Sequence, residues 1–98
     1  MQVNGTPFNV VNIYDKTKGG ITGTLVDIKL LFVVVIKSKA SGLILAHNHP
    51  SGNLKPSNND ITLTKKIREA SKFLDIELID HIIVSNKKYY SFKDEDEI

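Results

Sequence analysis

One short stretch of the chain gathers residue types able to hold a metal ion. It reads His47-Asn48-His49-Pro50-Ser51-Gly52 and runs on to Ser57-Asn58-Asn59-Asp60. Two histidines at i and i+2 at the end of an extended segment project to the same side, because side chains alternate along a strand. Both imidazoles can therefore reach one ion. An Asp in the first turn of the following helix, returned by a loop constrained by Pro50, Gly52 and Pro56, can add an oxygen ligand. Two histidines and a carboxylate, with the fourth position left to water, form the donor set of a catalytic zinc site rather than of a closed structural one. Each residue alone also has a plainer role. A buried His is commonly a hydrogen-bonded core residue, and Ser57 and Asp60 suit an N-cap and a favourable first-turn acid. The metal reading rests on the ordered combination of apolar strand, His-x-His, constrained loop, Ser and Asp.

The elements that must position these residues lie on either side. Gly42 to Ala46 (GLILA) has the look of a central strand, and residues 47–57 read as loop. Ser57 precedes an amphipathic helix ending near Phe73 or Leu74. Ile61, Thr64, Ile67, Ala70 or Ser71, and Leu74 share one face, while Lys65, Lys66, Arg68, Glu69 and Lys72 cover the other. Upstream, Leu30 to Ile36 (LLFVVVI) suits a buried strand or a buried helix equally by periodicity. The stretch from Asp27 to Ala40 is read as helix, because Asp27 can cap its start and Lys37 and Lys39 suit the negative end of its dipole. Ile21 to Val26 reads as a strand with Gly23 inside it, behind the turn signal Gly19-Gly20. Residues 1–18 are weakly patterned, irregular or at most a short edge strand at Asn9 to Tyr14. Glu77 to Ser85 (ELIDHIIVS) and Tyr89 to Phe92 (YYSF) make a strand hairpin. The whole is an α/β domain over residues 1–98, a mixed β-sheet flanked by helices.

Within the hairpin, alternation puts His81 and Asp80 on opposite faces, so His81 is expected to be a hydrogen-bonded structural residue. Tyr89, Tyr90 and Phe92 are expected to complete a small core rather than to stack on bases.

Composition sets the outer limits. Ninety-eight residues leave room for one core, and the absence of Cys excludes disulfide scaffolds, thiolate zinc sites, iron–sulfur clusters and cysteine nucleophiles together. Any metal must be held by His, Asp or Glu. The formal charge of +2 conceals an uneven distribution: residues 1–93 carry 13 basic and 7 acidic groups, and Asp94 to Glu97 form an acidic, solvated tail. Nucleic acid is compatible with the basic body, but no arginine cluster or stacking pair supports it. The longest apolar run is seven residues, short of the ~20 that span a bilayer. Met1 to Val10 lacks a basic start followed by an apolar stretch, so a cytoplasmic protein is the expectation. An exposed hairpin edge in a small domain is a common place for self-pairing, which makes a homodimer a further expectation.

HNHPSGNLKPSNND fits the pattern His-x-His, seven residues, Ser, two residues, Asp, and resembles the JAMM (JAB/MPN-type) metalloproteases. HNHPSG followed by PSxxD is most similar to the bacterial RadC-type branch. The likeness extends from about Gly19 to Ile98. It implies a JAB/MPN-like, cytidine-deaminase-like sandwich, zinc ligated by His47, His49 and Asp60, and a Ser57 hydroxyl that helps to stabilise the oxyanion of a tetrahedral intermediate. It also implies peptide or isopeptide bonds as substrates, and its name is associated with DNA repair.

One expected part is missing. The family uses an upstream Glu near the start of the helix before the His-x-His strand as general base, and no Glu precedes His47. An ungapped count puts that Glu at about Leu30. Asp27 lies three residues earlier, roughly 4.5 Å along a helix axis. Either Asp27 serves as the base, through a shifted helix start or a second water, or it only caps. The expectations are thus a zinc metallohydrolase, a non-catalytic metal-binding or interaction module, or a DNA-associated protein. The family also has further strand sequence before Gly19-Gly20, so a domain clipped at its N-terminus is expected.

Overall fold

In the computed structural model, which describes residues 2–3, 5–13, 15–18, 21–24, 27–49 and 53–98, the chain runs in nine elements. These are β1 (Gln2–Val3), β2 (Thr6–Ile13), β3 (Asp15–Lys18), β4 (Ile21–Thr24), α1 (Ile28–Lys37), β5 (Gly42–Asn48), α2 (Asn58–Phe73), β6 (Glu77–Ser85) and β7 (Lys88–Ser91). Five strands form one mixed sheet in the order β1-β2-β5-β6-β7, and β3 and β4 pair separately. The three inner strands β2, β5 and β6 are parallel, while β1 and β7 join antiparallel at the edges.

Parallel neighbours need crossovers. The two here, through α1 and through α2, step across the sheet in the same direction. Right-handed crossovers of that kind place both helices on one face. The core agrees with this: Leu31, Phe32 and Val35 of α1 meet Ile67 of α2 over Leu43 and Leu45 of β5, with Ile76 alongside. Leu43, Leu45 and His47 stand at alternate positions of β5, so the strand that fills the core delivers His47 to the same side at its C-terminal end.

The amino-terminal stretch differs from its expectation. Instead of irregular chain or a short edge strand over residues 1–18, Thr6–Ile13 is an eight-residue inner strand, in register with β5 from Phe8↔Gly42 to Ile13↔His47. An inner strand carries apolar residues on both faces. Val11 faces the helices while Phe8 and Val10 face away, so the alternation that marks a half-buried strand is absent from its sequence. On the far face Gly42 permits close packing: a Cβ there would lie 2.7 Å from Cδ1 of Ile79 and 3.2 Å from Cβ of Phe8.

Both helices form where capping and dipole arguments place them, with Asp27 and Ser57 as N-caps. Strand β5 continues two residues beyond Ala46, so His47 and Asn48 belong to the sheet and not to the loop. The turn at Gly19-Gly20, Leu25 and Val26 of the expected strand, Tyr14, and the loop residues Pro50 and Gly52 lie outside the described residues. Tyr89 corrects another expectation. It is 64% exposed on the outer face of the edge strand β7, while Phe92, in the turn after it, is the buried aromatic.

The acidic tail is exposed but wound into an ordered turn. Asp80 holds it, accepting from the backbone of Lys93 at 3.0 Å and from the Ser91 hydroxyl at 2.5 Å. The Tyr90 hydroxyl donates to Glu97, and that bond pushes the Tyr90 phenol up to about 12. No helix among the described residues is long and apolar enough to cross a membrane.

Candidate metal centre

The site forms where β5 ends and α2 begins. After Asn48 the backbone stays tied to the sheet, because His49 N donates to the Val84 carbonyl of β6 at 3.0 Å. The extended direction is thereby kept for one more residue, and His49 joins His47 on one side. The two rings meet edge to face, with centroids 4.4 Å apart. Across from them, α2 opens with a capping box. Ser57 Oγ accepts from Asp60 N at 3.1 Å, and Asp60 Oδ2 accepts from Ser57 N at 2.8 Å. A capping-box acid usually faces solvent. Here Asp60 is buried and turns one oxygen to each histidine, Oδ1 to His47 Nδ1 at 3.2 Å and Oδ2 to His49 Nε2 at 3.3 Å.

These three side chains are the group of potential ligands among the described residues, each offering one donor atom within 4.8 Å of the others. Donor atoms within 4.8 Å of one another can converge on one small divalent ion, and imidazole nitrogens with a carboxylate oxygen are donors that zinc accepts. Two nitrogens and a carboxylate oxygen, buried together, thus fit a metal.

A second layer orients the first. His49 Nδ1 lies 2.7 Å from the Asn53 carbonyl, and donating there leaves Nε2 with its lone pair toward Asp60. Asn53 is itself held by an Asx-turn, its Oδ1 accepting from Lys55 N at 3.0 Å. Behind Asp60, Thr64 Oγ1 donates to the Asp60 carbonyl at 2.7 Å and lies 2.6 Å from His81 Nδ1. The hydroxyl proton is spent on the carbonyl, so His81 Nδ1–H is the donor in the second bond. Burial pulls the His81 imidazole down to about 4, against the opposing Asp60 carboxylate, and keeps it neutral. Phe92 stacks on it at 4.6 Å with the planes 6° apart. His81 is therefore the hydrogen-bonded structural residue expected of it.

The structure brings His47, His49, Asp60 and Ser57 together and leaves Asp27 with its own helix. Asp27 is exposed, its Oδ1 accepts from Leu30 N at 3.0 Å, and it is not a member of the ligand group. Leu30, where the family Glu was expected, is exposed too. Asn53 and Thr64 were not singled out as supports. Thr64 was detectable, since it follows Asp60 by one helical turn, whereas the carbonyl of Asn53 carries no side-chain signal.

Comparison with protein families matches residues 6–97 to the RadC-like JAB domain. Among curated proteins, the chain is 50% identical over 86 residues to a "UPF0758 protein" of Flavobacterium johnsoniae, covering 88% of this chain and 38% of that protein. It is 44% identical over 89 residues to a protein of the same name from Alkaliphilus metalliredigens, covering 91% and 38%. A "UPF0758 protein" of Thermotoga maritima is 38% identical over 93 residues, covering 95% and 42%. The chain thus spans about two-fifths of the length of these relatives.

Proposed function

The chain belongs to the RadC-like JAB domain family, and from its site we propose a zinc-dependent hydrolase domain acting on peptide or isopeptide bonds. The observation that supports this most is the buried Asp60 carboxylate, which presents one oxygen to each of two histidines at 3.2 and 3.3 Å. A bound zinc ion supplies Lewis acidity, acidifying a coordinated water and polarising a scissile carbonyl.

The remaining work falls to side chains. Asp60, His47 and His49 fix the donor geometry, with the ring of His49 held by Asn53. Ser57 Oγ accepts the cap hydrogen bond from Asp60 N, which uses a lone pair and leaves the hydroxyl proton available. Capping and donation to a developing oxyanion are therefore compatible in one side chain, and a donor so placed contributes a few kcal/mol to the transition state. Among the described side chains, Asp27 is the acid nearest in sequence to the expected base position. Its capping bond engages Oδ1 alone. That bond also favours a second reading, a metal-binding module without useful turnover.

Three variants separate the readings. Zinc content after chelation and reconstitution is stoichiometric in the wild type and lost in His49→Ala; retention of zinc by His49→Ala removes the ligand assignment. Asp27→Asn keeps a good cap and removes the basic carboxylate. A fall of about 10²-fold or more in hydrolysis makes Asp27 the base, and unchanged zinc-dependent activity rejects it. Ser57→Gly keeps most of the cap without the hydroxyl, so the oxyanion role predicts loss of kcat with the fold intact. A protein that holds zinc and hydrolyses neither substrate class is the module.

A further inference from the structure

Helix α1 carries apolar residues on its outer side as well as its inner one, with Lys29 and Lys37 as its charged residues. Its inner side, Leu31, Phe32 and Val35 with Ile28, packs into the core. Its outer side carries Leu30 (58% exposed), Val33 (39%), Val34 (50%) and Ile36 (54%). At 100° per residue, Leu30, Val33, Val34 and Lys37 fall within a stripe about 100° wide, which is the width of a packing face. Among the described residues nothing covers it.

Charges at its two ends identify what fits it. Asp27, Leu30, Val34 and Lys37 follow one another along the helix at spacings of three and four, with the acid at the start and the base at the end. We propose that this face pairs with the same face of a second copy of the chain, the two α1 helices running antiparallel about a two-fold axis. Asp27 then lies opposite the partner's Lys37, and Leu30 opposite the partner's Val34. Both pairings share a midpoint at residue 32, so one register satisfies them together, and each occurs twice by symmetry. A parallel pairing sets Asp27 against Asp27 and Lys37 against Lys37. Antiparallel helix dipoles favour the same choice. The outer face of α2, with Lys65, Lys66, Arg68 and Lys72, repels a copy of itself.

The stripe covers on the order of 300–400 Å² a side, about half of what a standard stable interface buries per partner. The dimer is therefore expected to be weak and concentration-dependent.

Sedimentation equilibrium of the 98-residue chain, from about 10 µM to about 1 mM, reads this directly. Val34→Lys and, separately, Val33→Lys each raise the dissociation constant at least ~10-fold while leaving the circular dichroism and Tm unchanged, because both side chains point away from the core. Lys37→Glu weakens the dimer several-fold, and adding Asp27→Asn, which keeps the cap and removes the new repulsion, recovers part of the loss. The chain has no Cys, so introduced thiols report the orientation. Leu30→Cys mixed with Val34→Cys forms the mixed disulfide in preference to either like pair, since Leu30 and its own copy are offset by about 6 Å along the axis. A chain that stays monomeric throughout overturns the proposal and leaves the face to a different partner. So does a dimer indifferent to both lysine substitutions, or one in which Leu30→Cys links to itself as readily as to Val34→Cys.

Discussion

Helices α1 and α2 share a face of one sheet and begin alike, yet only one of them makes a site. Each starts at an oxygen-bearing N-cap, Asp27 accepting from Leu30 N at 3.0 Å and Ser57 from Asp60 N at 3.1 Å. They diverge in what faces the cap. The start of α1 is exposed, and among the described residues its carboxylate accepts from its own backbone. The start of α2 lies against the end of β5, where His47 and His49 arrive from a strand whose previous alternate residues, Leu43 and Leu45, are core. The same local device is only a helix start signal in α1 and, in α2, also the mount of a candidate ligand. The difference comes from the strand that precedes it in space.

The largest test of that contrast exchanges the acids' roles. Asp60→Asn keeps the shape and most of the capping capacity of the side chain but removes its charge. Outer-shell partners of a metal ligand are worth 10–100-fold in affinity, so if Asp60 is a ligand, as proposed, its loss should cost at least ~100-fold in zinc affinity by chelator competition. Asp27→Asn should leave zinc affinity within about twofold. Equal losses in the two variants would mean that Asp27 reaches the metal and that the two starts are not distinct.

A second, smaller difference is the buried histidine behind α2, which has no counterpart behind α1. His81 lies at about 4 in the folded protein against an ordinary 6.5. Above pH 6.5 both folded and unfolded chains hold it neutral. Between 6.5 and 4 the unfolded chain takes up a proton that the native chain refuses, so stability falls as pH falls and levels off near pH 4. The shift corresponds to about 3 kcal/mol in the metal-free protein. Urea denaturation in chelator across this window should show the slope, and His81→Phe should flatten it. A wild-type slope unchanged by that substitution assigns the dependence to other groups.

Much of this arrangement was legible in the residues, for reasons that differ by element. Helix α2 showed itself because one face is apolar and the other charged, and the candidate ligand group because His-x-His and the Ser-to-Asp spacing are bound to a strand end and a helix start. Helix α1 was readable only from its flanks, since LLFVVVI is apolar in every direction. Strand β2 was hidden for another reason: Phe8 and Val10 lie on one face and Val11 on the other, with Asn9 and Asn12 among them, so no alternation marks it and residues 1–18 read as irregular or a short edge. Tyr89 was misassigned because strand alternation in a hairpin depends on register. The two-residue turn at Asn86 and Lys87 pairs Tyr89 with exposed Val84, and no aromatic count reveals that. Asn53 acts through a backbone carbonyl, which no side-chain pattern records.

The smallest effects are expected where the two helices do not differ. Both end on a non-glycine residue in the left-handed region, Lys39 after α1 with φ 59° and Asp75 after α2 with φ 55°. An L side chain in that region is strained, while glycine adopts it freely at a greater entropic cost on folding. The gain from relieved strain slightly exceeds that cost, so Lys39→Gly and Asp75→Gly should each stabilise the domain by about 0.5 kcal/mol, read as a small rise in Tm. Their near equality is the informative part. It shows that the contrast between the helices resides in the start of α2 and the outer face of α1, and that the chain closes both helices by the same means. An Asp75→Gly gain far above that of Lys39→Gly would instead extend the special character of α2 along its whole length.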